Sequence, residues 1–243
     1  MTLFDPHLRP LRRARAAAMG GDQFLHQRAF DDCLERLGAI QRRFERALLF
    51  GPELPGWVER LRSFGCPTVV VAEPGFHGPP PTAPDLCISV GGLDLIEELP
   101  ATLAAIRHLL APGGLFIGAF AGGDSLPALR GAMQAADRAS GGVAMPHVHP
   151  RIDPASFSGL LSGAGFVDPV IDIDRVSVRY RSLDALVRDL RGMAATNMLA
   201  ERPRRPILRA GREAARAAFL DGASERIERF DLVHFIAWSP PQL

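Results

Sequence analysis

The sequence predicts an α/β fold with one mainly parallel sheet that ends in an antiparallel pair, and three observations predict it. From Ala47 to Ala139, short apolar or β-branched runs alternate with stretches of helical spacing, the pattern of βαβ units. GLFIGAFAGG, from Gly114 to Gly123, is apolar throughout, as a strand covered on both faces is. Two longer runs near the end, one alternating strictly around 170–180 and one at 229–238, are separated by helical stretches, which suits a terminal antiparallel pair.

Taken in order, Leu25, Ala29, Cys33, Leu37 and Ile40 recur at three- and four-residue steps and predict an amphipathic helix over 22–44. ALLFG (Ala47 to Gly51) is a strand closed by a glycine, and Trp57, Val58, Leu61 and Phe64 mark the helix after it. TVVVAEPG (Thr68 to Gly75) is a second strand, ending at an acidic residue and a turn. The proline-rich stretch 76–84 fits neither helix nor central strand. DLCISVGG (Asp85 to Gly92) is the next strand, and Pro100 opens a helix with Leu103, Ile106, Leu109 and Leu110. After the Gly114–Gly123 run, Asp124 and Ser125 offer an N-cap for a helix to about Ala139. Asp153-Pro154 starts another, and its Phe157, Leu160 and Leu161, like Leu183, Leu186 and Leu190 of the helix after Ser182, are expected to pack on this same sheet rather than to form a separate domain. PILRAGREAARAAFLDG is the last amphipathic helix. We divide the chain into an N-terminal helical segment, 1–45, and a main domain, 46–243.

Composition narrows the function classes. With 47% hydrophobic and 23% charged residues the chain can bury a full core. All 28 basic residues are arginine, a bias typical of GC-rich bacterial genomes, and the net charge of +1 gives no global basic field for nucleic acid. Cys33, Cys66 and Cys87 show neither metal-site nor disulfide spacing, and no apolar run approaches a signal peptide or membrane span; a cytoplasmic location is expected.

The element order and the phrase LLAPGGLFIGAF resemble class I S-adenosylmethionine (SAM) methyltransferases. GGDSLPALR (Gly122 to Arg130), PHVHP from Pro146, DIDRVSVRY with LVRDLRGMAATN (Asp172 to Asn197) and the start LFDPHLRPLRRARA resemble more closely the methyltransferase-like assembly factors of respiratory complex I and their bacterial relatives. LRGMAATN is also similar to the malonyl-acyl-carrier methyltransferases of biotin synthesis. The resemblance implies a Rossmann-like class I methyltransferase fold with SAM as cofactor. In that family an acidic-x-Gly-x-Gly-x-Gly turn follows the first strand, because the backbone must approach the cofactor closely. Here Gly51 falls on the first glycine, Leu49 replaces the acidic residue, Glu53 replaces the second glycine, and Gly56 fits the third with a one-residue shift. Glu53 would set a carboxylate against the carboxylate of SAM, and Pro52 and Pro55 remove two N–H donors. Glu73 matches the acidic residue that binds the ribose hydroxyls. The family's third strand, with its acidic adenine-binding turn, is expected to be deleted at 76–84. Ser89, Gly91 and Leu93 match the fourth-strand region, but Asp94-Leu95 stands where relatives carry His-Trp.

The substrate or partner candidates are Asp94, Asp124, His147, Tyr180, Asn197, Arg204 and Arg205. His147 and His149 lack a third ligand at useful spacing, so no metal is expected. Tyr180 either lines a cleft or caps the core. Arg204 and Arg205 lead the densest charge cluster, which is either a solvated helix face or a surface for an acidic protein or RNA; no aromatic residues are interleaved, which disfavours nucleic acid. The expectation is a SAM-dependent methyltransferase-like protein acting on or assembling a protein partner such as a complex I subunit, with SAM bound weakly or not at all. The alternatives are an inactive binding protein of this fold and a carrier-protein or small-molecule methyltransferase.

Overall fold

The apolar runs become strands of one sheet in a computed structural model that describes residues 2–72 and 82–241. Among these residues β1 (Arg46–Phe50), β2 (Thr68–Ala72), β3 (Leu86–Val90), β4 (Leu115–Gly122), β5 (Val167–Tyr180) and β6 (Arg226–Trp238) lie in the order β2-β1-β3-β4-β6-β5. The first four are parallel: Leu49 pairs with Val71 on one side and Ile88 on the other, and Cys87 pairs with Phe116. β6 runs against β4, because Ser239 N donates to Gly114 O while Leu126 N donates to Arg229 O. β5 runs against β6, with Arg179 reaching Glu225 at 3.8 Å at one end while Asp172, through Arg36, and His234 both reach Asp32 further along. The predicted parallel sheet with an antiparallel end is therefore observed. Of the stretch expected to lack a strand, 76–81 lies outside the described residues, and 82–84 contains none.

Eight helices complete the described chain: α1 (Leu8–Met19), α2 (Phe24–Ala39), α3 (Trp57–Phe64), α4 (Leu99–Leu109), α5 (Pro127–Ala139), α6 (Pro154–Gly163), α7 (Leu183–Gly192) and α8 (Arg209–Leu220). Two compact units are distinguished. One, the sheet unit, comprises Leu25–Gly123, Ile152–Asp174 and Leu232–Leu243; the other, the helical unit, comprises Met1–Phe24, Asp124–Arg151 and Arg175–Asp231.

In the sheet unit, Phe116, Phe120, Phe157 and Phe235 pack edge to face, with Phe116–Phe235 centroids 4.7 Å apart and Phe157–Phe235 5.1 Å. Leu103 and Ile106 of α4 and Phe157 and Leu161 of α6 join this cluster, as their spacing predicts. Asp153 caps α6, accepting from Ser156 N at 3.0 Å. α2 contributes Leu25, Ala29, Phe30, Cys33 and Leu37, and Phe30 stacks on Trp57 of α3 at 4.3 Å.

His234 of β6 is 1% exposed, with Nδ1 2.8 Å from Asp32 Oδ2. Asp32 shares Arg36 with Asp172, and Arg28 holds Asp174. Burial holds the His234 imidazole below its ordinary value, against the opposing pull of Asp32. A depressed imidazole favours the neutral form in the fold, so this stabilisation is complete above the unfolded value of about 6.5 and is lost as pH falls below it. Thermal unfolding temperature is expected to drop on acidification from pH 7 to 5.5, and His234→Leu to flatten that slope; an unchanged slope would remove His234 as the source.

The helical unit rests on close approaches between small residues. Gly211 of α8 faces Ala136 and Ser140 at the end of α5, where a Cβ would lie 2.6 Å from Ser140 Oγ and 3.1 Å from Ala136 O. A Cβ on Gly21 would lie 2.3 Å from Gly192 Cα, so the chain after α1 crosses the end of α7 with glycine on both sides. Leu183, Leu186 and Leu190 of α7 are buried, and Ser182 Oγ caps that helix, accepting from Ala185 N at 3.1 Å.

One boundary differs from the sequence expectation. Asp124 does not cap α5: its side chain is 88% exposed, and the helix starts after Leu126, whose φ is +65°. The cap comes instead from the buried carboxylate of Glu228 on β6, which accepts from Ala128 N at 3.2 Å and Leu129 N at 2.8 Å.

Candidate functional site

Open parallel sheets bind ligands at the carboxyl ends of their strands. In the sheet unit β1 ends at Phe50 and β3 at Val90, and each runs into a glycine of positive φ: Gly51 at +111°, then Gly91 at +71° and Gly92 at +97°. Gly51 N donates to Ala72 O at 2.8 Å and Gly91 N to Ala119 O at 2.8 Å, fixing both turns. A Cβ on Gly51 would lie 3.1 Å from Gly91 O and 3.9 Å from Ser89 Oγ. Three of the predicted cofactor residues, Gly51, Ser89 and Gly91, are thus brought together.

The space beside these glycines is occupied by the protein. A Cβ on Gly91 would lie 3.0 Å from both Cδ2 and Nε2 of His26, a residue of α2, and 3.6 Å from Pro52 Cγ. One on Gly92 would lie 3.4 Å from Pro52 Cδ. Ser89 is fully buried and its Oγ has no hydrogen-bond partner among the described residues. Leu93 and Asp94 are buried on a single 3₁₀ turn, Leu93–Leu95. Glu53 is exposed in the turn after β1, and Gly56 is exposed at the start of α3 with φ +86°. Glu73 lies outside the described residues. A separate groove, lined by Arg46, Ala47, Thr68 and Val70, lies at the amino ends of β1 and β2, the opposite end of these strands.

The remaining candidates belong to the helical unit. His147 Nε2 is 2.8 Å from Asp137 Oδ1, and the other oxygen of Asp137 accepts from Met145 N at 2.8 Å. Asn197 Nδ2 donates to Pro146 O at 2.6 Å while its Oδ1 accepts from Leu199 N at 3.0 Å. His147 and Asn197 therefore serve one loop, 145–147, fastened from two directions. Tyr180 is buried, and burial followed by the neighbouring Asp189 pushes its phenol upward, so it stays protonated. Asp124 pairs with Arg229 at 3.4 Å. Arg204 and Arg205 are exposed in the segment before α8. Among the described residues no group of three or more His, Cys, Asp or Glu could hold a metal ion, and no helix is long and apolar enough to cross a membrane.

Sequence reasoning missed His26. It sits on a helix of ordinary amphipathic spacing, and nothing in the linear pattern announces that its imidazole reaches Gly91.

No protein-family model matches the chain. Over 132 residues, 54% of the chain, it is 36% identical to the mitochondrial arginine-hydroxylase NDUFAF5 of Rattus norvegicus, covering 38% of that protein. Over 152 residues, 61% of the chain, it is 37% identical to the malonyl-[acyl-carrier protein] O-methyltransferase of Xylella fastidiosa, covering 49% of that protein. The chain thus spans between about a quarter and a half of the length of the curated relatives it matches. Among solved structures, a chain of the Haloferax volcanii complex between the Trm112 methyltransferase activator and a methyltransferase superposes with a TM-score of 0.50 at 14% identity, over 97% of this chain and 99% of that one.

Proposed function

The chain has the class I methyltransferase fold and resembles NDUFAF5 and the malonyl-[acyl-carrier protein] O-methyltransferases in sequence, and on that premise we propose that it is a methyltransferase-like protein that acts on or assembles a protein partner, with its SAM crevice closed by its own side chains. The observation that carries this reading is the imidazole of His26, 3.0 Å from the Cβ position of Gly91, with Pro52 packed on Gly91 and Gly92. Glycines at such a turn leave room for a ligand to approach the backbone, and here that room is taken. Pro52 and Pro55 offer no N–H, and Glu53 adds like charge for a carboxylate ligand. On this reading the residues present do not fit SAM. Loss of two contacts at about 1–3 kcal/mol each moves a dissociation constant from micromolar towards millimolar.

The likeness to complex I assembly factors makes a complex I subunit the candidate partner, and the exposed Arg204 and Arg205 the candidate contacts. We place the protein in a bacterial cytoplasm, in keeping with three buried, free cysteines. The malonyl-carrier likeness favours a second reading, a methyltransferase for a carrier-bound substrate.

Calorimetric titration with SAM separates the two. The first reading expects no saturable heat below millimolar SAM, whereas micromolar binding would overturn it in favour of the second. Tagged protein recovered from its own cells should carry complex I subunits, and Arg204→Glu with Arg205→Glu should release them; recovery without such subunits would count against the partner assigned.

A further inference from the structure

The net charge of +1 averages two opposites. The helical unit carries twenty arginines against twelve acidic residues, and the sheet unit eight against fifteen. Within the helical unit, α1 holds Arg9, Arg12, Arg13 and Arg15 and no acidic residue. The chain before α1 is tied to the segment after α7: Asp5 N donates to Met198 O at 2.9 Å, Ala200 N to Leu3 O at 2.9 Å, and Phe4 bridges Leu199. This brings Arg202 to Asp5, where its Nη1 donates to Asp5 Oδ2 at 3.0 Å and to Leu199 O at 2.9 Å.

Arg12, in the second turn of α1, has an unmet donor. Its Nη1 is buried and has no hydrogen-bond partner among the described residues. The charges acting on it are Arg202 and Arg15, which oppose it, and Asp5, which does not suffice. Burial first, then those two arginines, lowers the Arg12 guanidinium to about 10. A buried donor left unpaired is costly, the more so when charged, and native proteins keep few of them without a ligand, water or ion to satisfy them.

We propose that Arg12, Arg15 and Arg202 form a binding site for a phosphate-type oxyanion, with Arg12 Nη1 as its buried donor. Three guanidinium groups against the single carboxylate of Asp5 leave two positive charges. A phosphate dianion neutralises both, whereas a carboxylate ligand leaves one. The planar fork of arginine suits the oxygens of such an anion. The site is independent of the SAM crevice and of the partner assigned above.

Calorimetry with inorganic phosphate, at low salt and in a phosphate-free buffer, tests it. Saturable one-to-one binding is expected, weakened at least roughly tenfold by Arg12→Gln and by Arg15→Gln, with no competition from acetate. Phosphate should also raise the melting temperature of the natural protein but not that of Arg12→Gln. Arg15 is exposed, so Arg15→Gln keeps the test open if Arg12→Gln fails to fold. A phosphoserine peptide binding at least roughly tenfold better than phosphate would place the anion on a larger ligand, and equal binding would assign the free ion. Absence of phosphate binding, or binding unchanged in both variants, overturns the proposal.

Discussion

Gly118→Ala is expected to destabilise the protein by about 3 kcal/mol or more, a large share of the roughly 5–15 kcal/mol that holds a typical domain together. Gly118 lies within β4, opposite Ser89 of β3, and a Cβ there would sit 2.0 Å from Ser89 O and 2.8 Å from Phe235 Cζ. The first neighbour is backbone in a parallel ladder and cannot turn aside. The second is a ring held in the aromatic cluster between Phe116 and Phe157. Relief therefore requires either separating β3 from β4 or displacing the cluster, and both act on the centre of the sheet. Urea unfolding followed through Trp57, which is 2% exposed, measures the loss. Gly131→Ala in α5 supplies the contrast: nothing lies within 4 Å of its added Cβ, so a gain of about 0.5–1 kcal/mol is expected from helix propensity. Equal effects at the two positions would contradict the close approach.

Glu228→Ala is expected to cost about 2–3 kcal/mol, because it removes a charged cap from a buried helix end. Glu228 is 0% exposed and one carboxylate accepts from three backbone groups, Ala128 N, Leu129 N and Arg229 N at 3.0 Å. Without it the first donors of α5 are left unpaired where water does not reach. Leu129, Ala132 and Ala136 of that helix are buried, so fraying at this end loosens the packing against α8 as well. Glu228→Gln keeps one acceptor oxygen and should lose roughly half as much. A loss under about 0.5 kcal/mol for the alanine variant would show that the cap contributes little.

These two sites also mark where the sequence is legible. Strands announced by continuous apolar runs, such as Leu86–Val90 and Leu115–Gly122, stand where expected, since a fully covered strand has no other place for such residues. Asp153 and Ser182 cap the helices they precede because capping by the preceding residue is a local interaction. Asp124 fails for the same reason inverted: the cap of α5 comes from Glu228, one hundred residues away, and no local pattern encodes it. In the crevice, Gly51 and Gly91 could be read from the turns that end their strands, but His26 could not, because its approach to Gly91 is a tertiary contact. The overall charge likewise hid the basic helical unit, since summing along the chain mixes segments that the fold sorts apart.

The central claim, that the protein's own side chains close its SAM crevice, is tested most directly by removing them. His26→Ala with Pro52→Gly takes away the imidazole at Gly91 and the ring over Gly91 and Gly92, and restores one N–H to the turn. Titrated with SAM beside the natural protein, the double variant is expected to bind at least roughly tenfold more tightly, a gain of about 1.4 kcal/mol. Micromolar binding by the natural protein, unchanged in the double variant, would contradict the account.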